Sequence, residues 1–559
     1  ALSSAASDVY KRQMKYNKFL TILFASGLLG IAVACTDNFE ADNRNNTGFD
    51  SELQEYDFQK YLLKFEIIQS GIYFNYDWGE GKNWTFQIAQ NLGQDMFSGY
   101  FHDFNQGFND KNSVYALNDG WTSTHWTYNY SYIMPEVQKC EQINVEQPAL
   151  LAVTQILKVE LMHRVADCYG PLVYSKFGQE GDNVDDLKTA YKQFFTDLEK
   201  GITSLQSFIK DNPGVEPYKD ADMLTPNKTL AEWVKFGNSL RLRLAMRVAN
   251  VDKALATEQA QKSFTLGQFL EAPNEIISVS TAGGYNNPLG EINKSWGEVF
   301  MGATMESVLT GYDDPRMSKY YDPANGAVIT WKENDVVKEL PQLFEYAGSY
   351  KGVPQGTGLL SADNRYKECS KSTVSQKTNP ILMTAAEVWF LRAEAALRGI
   401  STEDPKICYE TGVKTSFEQW GVGGVDAYLQ SDKTPADYKD PFDTQFDMNA
   451  RITTTPNWAD ANGTEEQFEK IMTQKWLAIY PEGNEAWTEQ RRTGYPKLFK
   501  VKVNNSGGAI NTDEMIRRLP YPEGLKTSNP TQYSSLTRAL GGADTGGTRL
   551  WWDAGKNNF

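Results

Sequence analysis

The stretch TAAEVWFLRAEAALRG, residues 384–399, decides the fold class. Thr384 followed three residues later by Glu387 is the pattern of a capping box, in which the threonine hydroxyl accepts an orphan N–H of the first helical turn. Ala385, Trp389, Ala393 and Ala396 then recur at helical spacing. Glu394 and Arg398 stand four apart as a favourable ion pair, and Gly399 supplies the stop. The small residues on this stripe let a second helix approach closely, as in helix-pair repeats.

The same signals recur outward. Thr229 and Glu232 head a stripe of Leu230, Val234, Gly237, Leu240, Leu244 and Val248, and Thr464 and Gln467 head Phe468, Met472, Trp476 and Ile479, ended by Pro481. Residues 148–168 align Leu150, Val153, Leu157, Leu161 and Val165 ahead of Gly170-Pro171; residues 186–209 and 56–74 carry helical periodicity too. Strand signals are few and short, and no clean 34-residue repeat emerges. The expectation is an all-α fold: a tetratricopeptide-like helix-pair scaffold with long irregular loops, spanning 56–559 as one ligand-binding domain. Polar stretches at 77–83, 102–118, 283–294, 348–363 and 421–462 are long enough to read as working loops.

The N-terminus has a different grammar. Residues 1–13 (ALSSAASDVYKRQ) look like a translated library adapter, which places the natural start at Met14. Lys15 and Lys18 precede the 16 uncharged residues 19–34, too short for a spanning helix but suited to a signal peptide over 14–34. Ala32-Val33-Ala34-Cys35 resembles a lipobox, with Cys35 as the acylated mature N-terminus; the alternative is an ordinary A-x-A cleavage that leaves Cys35 a spectator. Residues 35–55 read as an acidic, flexible tether. Membrane attachment is expected through lipid alone.

With 71 acidic against 55 basic residues, the net charge of -16 argues against nucleic acid as partner. No H-E-x-x-H, G-x-S-x-G, Walker A or post-strand G-x-G-x-x-G occurs, so no catalytic residue, cofactor or metal is assigned. Of the three histidines, His163 reads as a hydrogen-bonded structural imidazole, His125 as a helix residue with Trp121 and Trp126 in the core, and His102 as loop-borne and open to a ligand. Asp313 and Asp314 before Pro315 read as a turn cap. Cys140, Cys168, Cys369 and Cys408 are too widely spaced for a zinc knuckle or redox pair; disulfides and buried thiols both remain open.

Several segments together resemble the SusD/RagB lipoproteins: 385–399, AWTEQRRTGYPKL at 486–498, RRLPYPE at 517–523, KVELMHRVADCYGPLVYS at 158–175, WVKFGNSLRLRLAMR at 233–247, GYDDPRMSKY at 311–320, and Trp551-Trp552-Asp553. The resemblance, nearest to the starch-utilisation SusD-like group, implies an outer-membrane lipoprotein facing the cell exterior. Such a protein is not an enzyme. It captures oligosaccharide and acts as the lid of a SusC-like TonB-dependent transporter. Peptide capture in the RagB manner is an alternative, and a surface endo-glycosidase a more distant one. Asp37, Glu40 and Asp42 resemble the surface-export signal of such lipoproteins. Trp389, Trp487, Arg491 and Arg492 sit in the shared motifs and are expected in the core or in ion pairs.

Ligand residues do not transfer by motif, so the physics of sugars selects them. Pyranose rings stack apolar C–H faces on aromatic planes, and their hydroxyls seek amides and carboxylates. The candidates are Trp78, Trp84, Phe104, Tyr285 with Asn286 and Asn287, Trp296, and Trp458.

Overall fold

The scaffold helices start where the chain offers a side-chain oxygen or a proline. Asp186, Thr229, Asp252, Thr384 and Asp404 cap helices α2 (Leu187–Asp211), α3 (Leu230–Arg247), α4 (Lys253–Leu266), α5 (Ala385–Leu397) and α6 (Pro405–Gln419) by accepting a first-turn N–H. Helix α1 (Pro148–Tyr169) opens on proline, whose missing N–H costs nothing there, and ends at Gly170. Helices α7 (Thr464–Ala478) and α8 (Gly483–Thr493) complete the set. This computed structural model describes residues 59–74, 84–102, 111–325, 329–333, 336–340, 348–359, 365–555 and 558–559.

Consecutive helices pack as pairs: α1 on α2, α3 on α4, α5 on α6. The pairs stack through α2 on α3, α3 on α5 and α5 on α7, and α8 returns to α1. Small residues permit this. A methyl at Gly237 of α3 would sit 3.0 Å from Ile156 Cδ1 of α1, and one at Gly201 of α2 would sit 3.0 Å from the Ala152 carbonyl oxygen. Ile156 is therefore wedged between two glycines. A methyl at Gly412 of α6 would meet the Phe390 ring of α5 at 2.9 Å. The helix-pair, all-α reading is what the chain adopts.

Three two-stranded antiparallel ladders account for the strands among the described residues: β1 (Phe101–His102) with β3 (Phe300–Met301), β2 (Ile276–Ser278) with β6 (Ile381–Thr384), and β4 (Ile329–Glu333) with β5 (Val336–Leu340). Residues 60–559 form one compact unit.

Several local expectations are corrected. Thr464 does not cap α7; Gly463, at φ +87°, takes the cap position with no side-chain acceptor. Thr384 caps α5, but the Glu387 carboxylate turns to Arg243 at 2.7 and 2.8 Å instead of closing the box. Residues 59–74 form two short helices, Gln59–Leu62 and Phe65–Gly71, where one was expected. The polar run at 283–294 folds into a helical turn, Pro288–Glu291, and enters a π-helical turn, Ile292–Trp296. His102 lies buried on β1, not on a loop, and Trp121 is only half-buried beside the buried Trp126. All four cysteines of the described unit are free and buried.

At the centre the helices exchange charge. Arg247 of α3 meets Glu485 at 2.5 Å and Glu489 at 2.7 Å; Lys475 of α7 meets the same two carboxylates at 3.3 and 3.0 Å. Arg492 bonds Glu394 and Glu489, both at 2.7 Å, and Arg164 of α1 reaches Glu482 at 3.0 Å. His163 sits between Glu160 and Asp167 at 3.2 and 3.4 Å as a structural imidazole. Arg491 is the exception to the ion-pair expectation. Its guanidinium stacks on Trp487 and donates to the carbonyls of Asp167 and Arg517, with no carboxylate partner among the described residues. Burial pulls it down to about 9.

Asp95 adds a titrating group to this centre. Its Oδ1 accepts from Gln90 at 3.1 Å, and Oδ2 has no partner among the described residues. Burial pushes the carboxyl up to about 7, the Gln90 bond opposing and Glu482 reinforcing. A folded value above the unfolded one means the native state holds the proton more tightly. The associated stability is therefore whole below pH 4 and is lost as pH rises through 7. Asp95→Asn is expected to raise unfolding free energy at pH 8 by on the order of 2–4 kcal/mol, the gain shrinking to nothing by pH 4. Urea titrations at the two pH values check it; an equal effect at both refutes the assignment.

Candidate functional site

Among the described residues the strongly exposed aromatic rings are Trp84, Tyr132, Trp296 and Phe559, at 51, 49, 38 and 54%. The last packs edge-on against Phe468. The other three stand on segments that brace one another.

Trp84 opens the helical turn Trp84–Phe86, which runs into the π-helical segment Gln87–Asp95. Phe86 stacks on Tyr73 with centroids 5.5 Å apart, which holds the turn down while Trp84 faces solvent. The next residue, Phe74, packs edge-on against Tyr128 at 5.6 Å, and Tyr128 lies 5.2 Å from Tyr132. Tyr132 belongs to a second π-helical segment, Asn129–Ile133, which approaches the helix Phe65–Gly71 so closely that a methyl on Gly71 would overlap Ile133. Tyr73 and Phe74 thus tie the Trp84 turn to the Tyr132 turn.

The Trp296 segment is joined to the Trp84 segment three ways. Helix Pro288–Glu291 packs on the turn Trp84–Phe86; Gln87 Nε2 donates to Glu298 Oε2 at 2.5 Å; and β1 pairs with β3, His102 opposite Phe300. Trp296 closes the third π-helical segment, Ile292–Trp296. Wide turns of this kind recur at functional sites because they re-aim side chains out of helical register. Each of these three rings stands on such a turn or beside one.

The base under Trp296 is stitched to residues 372–378. Asn287 caps its turn by accepting from Leu289 N and donates Nδ2 to the Thr378 carbonyl at 2.8 Å; Asn293 donates to the Ser372 and Val374 carbonyls at 2.5 and 2.7 Å. At Gly290 a methyl would fall 2.1 Å from the Ser375 carbonyl carbon, so only glycine allows this approach. The segments that flank Trp296 carry polar groups: Lys294, bonded to Asp322 at 2.9 Å; Asn286, accepting from Lys377 at 3.1 Å; and Glu298. Lys371 lies over the Phe300 ring, its ammonium 3.2 Å from where a Cβ of Gly297 would be. Burial lowers its pKa.

The structure sorts the sequence-derived candidates. Trp84 and Trp296 are brought to one neighbourhood. Tyr285 is fully buried, and burial pushes its phenol well up, so it offers no ring face. Asn287, 2% exposed, spends its amide on the backbone. Trp458 is buried against Tyr409 of α6 at 5.2 Å, on a different part of the scaffold. These three are framework residues. Trp78, Phe104 and Cys35 lie outside the described residues. Tyr132 is missed by the sequence reading, which weighs Trp121, His125 and Trp126 in this region and passes over the tyrosines; the signal lies in the spacing of Tyr128, Tyr130 and Tyr132, too dense for one helical face.

The family model described as "SusD-like: Susd and RagB outer membrane lipoprotein" matches residues 42–553. The chain belongs to the SusD/RagB family. A SusD homologue from Bacteroides vulgatus is 52% identical with a TM-score of 0.84, covering 90% of this chain and 100% of its own. A chitin-binding SusD homologue from Flavobacterium johnsoniae is 34% identical with a TM-score of 0.82, covering 89% and 100%. A SusD homologue from Bacteroides thetaiotaomicron is 30% identical with a TM-score of 0.76, covering 88% and 99%. Comparison with curated proteins gives no match. SusD-like proteins are outer-membrane lipoproteins, and no helix among the described residues is long and apolar enough to cross a membrane.

Proposed function

We propose that this SusD-like protein is a cell-surface lipoprotein, acylated on Cys35, that captures oligosaccharide and delivers it to a SusC-like TonB-dependent transporter as its lid. The observation that carries the reading is the set of three exposed rings, Trp84, Tyr132 and Trp296, on turns locked together by packing and by the Gln87–Glu298 bond. Exposed rings cost free energy in water, and interlocked turns keep them from collapsing onto the core, which is what a preformed stacking platform requires. Sugar rings stack on the indoles and the tyrosine, while Asn286, Lys294, Glu298 and Lys371 on the neighbouring segments offer polar partners to hydroxyls. Trp78 and Phe104 extend the same proposal. The protein supplies binding and closure, the barrel supplies passage, and no covalent bond in the cargo changes.

The chitin-binding homologue makes chito-oligosaccharides the first probe. Calorimetry on a panel of chito-, malto-, xylo- and mannooligosaccharides, with a tryptic peptide pool beside it, tests the class of cargo. Binding of a glycan without release of reducing ends supports the proposal; binding of peptides alone, or cleavage of the glycan, sinks it. Cys35→Ala is expected to move essentially all of the protein from the detergent phase to the aqueous phase in cloud-point partitioning, with an unchanged melting temperature, because acyl chains are the only anchor in this reading. Retention of the variant in the detergent phase refutes the anchor.

A further inference from the structure

A cavity of about 580 Å3 opens between the chain from Pro171 to Lys188 and the C-terminal helix Pro530–Leu540, with Arg549, Leu550 and Trp551 also in its lining. It shares no lining residue with the face of Trp84, Tyr132 and Trp296. Its volume lies within the range of small-ligand sites.

Two adjacent tryptophans divide the work here. Trp552 is fully buried, whereas Trp551 is half-buried, lines the cavity and has Tyr191 behind it at 6.0 Å. Val184, Leu187, Leu540 and Leu550 continue the apolar wall. The charged rim is already neutralised. Arg538 pairs with Asp182 at 3.0 Å, Arg549 with Asp553 and Glu514 at 2.6 and 3.2 Å, and Lys188 with Asp252 at 3.1 Å. Asp186 accepts from Thr189 N at 2.8 Å as the cap of α2. A charged ligand finds no net field, because each cation faces a carboxylate. The exposed Arg538–Asp182 pair is weak enough to exchange partners. What fits is an uncharged molecule with a flat apolar face and a girdle of hydroxyls.

We infer that the Trp551 groove is a second subsite for neutral glycan, an inference that rests on the reading of the protein as a glycan-capturing lipoprotein. A polysaccharide long enough to engage both sites binds more tightly than either site alone through effective concentration.

Affinity electrophoresis through gels containing starch, xylan, β-glucan or glycol chitin tests this. The proteins compared are wild type, Trp551→Ala, Arg538→Ala, the double variant Trp84→Ala/Trp296→Ala, and the triple variant. On whichever glycan retards wild type, Trp551→Ala is expected to weaken retardation at least threefold. Arg538→Ala, at an exposed position that cannot unfold the protein, weakens it in the same direction. The residual binding of the double variant disappears in the triple. If Trp551→Ala and Arg538→Ala both run as wild type on a gel that retards wild type, the subsite is overturned while glycan capture stands. If Trp551→Ala abolishes retardation and the double variant retains all of it, the groove is supported and the Trp84 face falls. A wild type that no glycan retards overturns both.

Discussion

Glu485→Ala is expected to lower unfolding free energy by roughly 3–5 kcal/mol, the cost of breaking a buried pair while its cations stay in place. Glu485 is 1% exposed and answers both Arg247 and Lys475, themselves 0 and 1% exposed. Removing it leaves them Glu489, which Arg492 already shares, and only the longer contacts of Arg247 with Asp167 and of Lys475 with Glu387, both at 3.6 Å. Against a typical total of about 5–15 kcal/mol, the loss is a large share. Burial by itself would raise the Glu485 carboxyl; Arg247, then Arg243 and Lys475, reverse that and hold it at about 2. A folded value below the unfolded one places this stability above pH 4.5 and removes it as pH falls toward 2. Urea midpoints at pH 7 and pH 3 measure both parts. A change under about 1 kcal/mol at pH 7 refutes the account, since surface pairs already reach that size.

Trp84→Ala combined with Trp296→Ala is expected to weaken oligosaccharide binding about 100-fold, roughly tenfold or 1.4 kcal/mol for each ring. The two rings are 51 and 38% exposed, so little packing is lost and the melting temperature should hold. Trp458→Ala behaves in the opposite way. It empties a buried site against Tyr409, costs about 3–5 kcal/mol of stability and leaves affinity unchanged. Calorimetry and thermal melts on the three variants separate ring from framework. A double variant that binds as tightly as wild type removes both tryptophans from the site.

Local signals carried far where the chain needs only its neighbours. Thr229 with Glu232 forms the full capping box, and Gly170 ends α1. The pairing of Glu394 with Arg398 was legible because four residues on a helix always meet. Thr384 shows the limit. Its cap was legible, but the carboxylate of Glu387 was taken by Arg243, 144 residues away. Loop aromatics were harder still. GGYNNP and PNWAD look as sugar-seeking as KNW, yet Tyr285 and Trp458 are buried while Trp84 is not.

The helices, their small-residue contact stripes and the kinship with SusD-like lipoproteins were all readable from the residues. All three are written in residues within a few turns of each other or in runs that can be matched. Which rings face water and which charges meet depends instead on contacts between distant segments. An aromatic side chain gains as much by closing a core as by awaiting a sugar, and nothing in its immediate neighbours says which. The answer came from distant partners: Tyr73 under Phe86, Glu298 on Gln87, and residues 372–378 beneath Asn287 and Asn293.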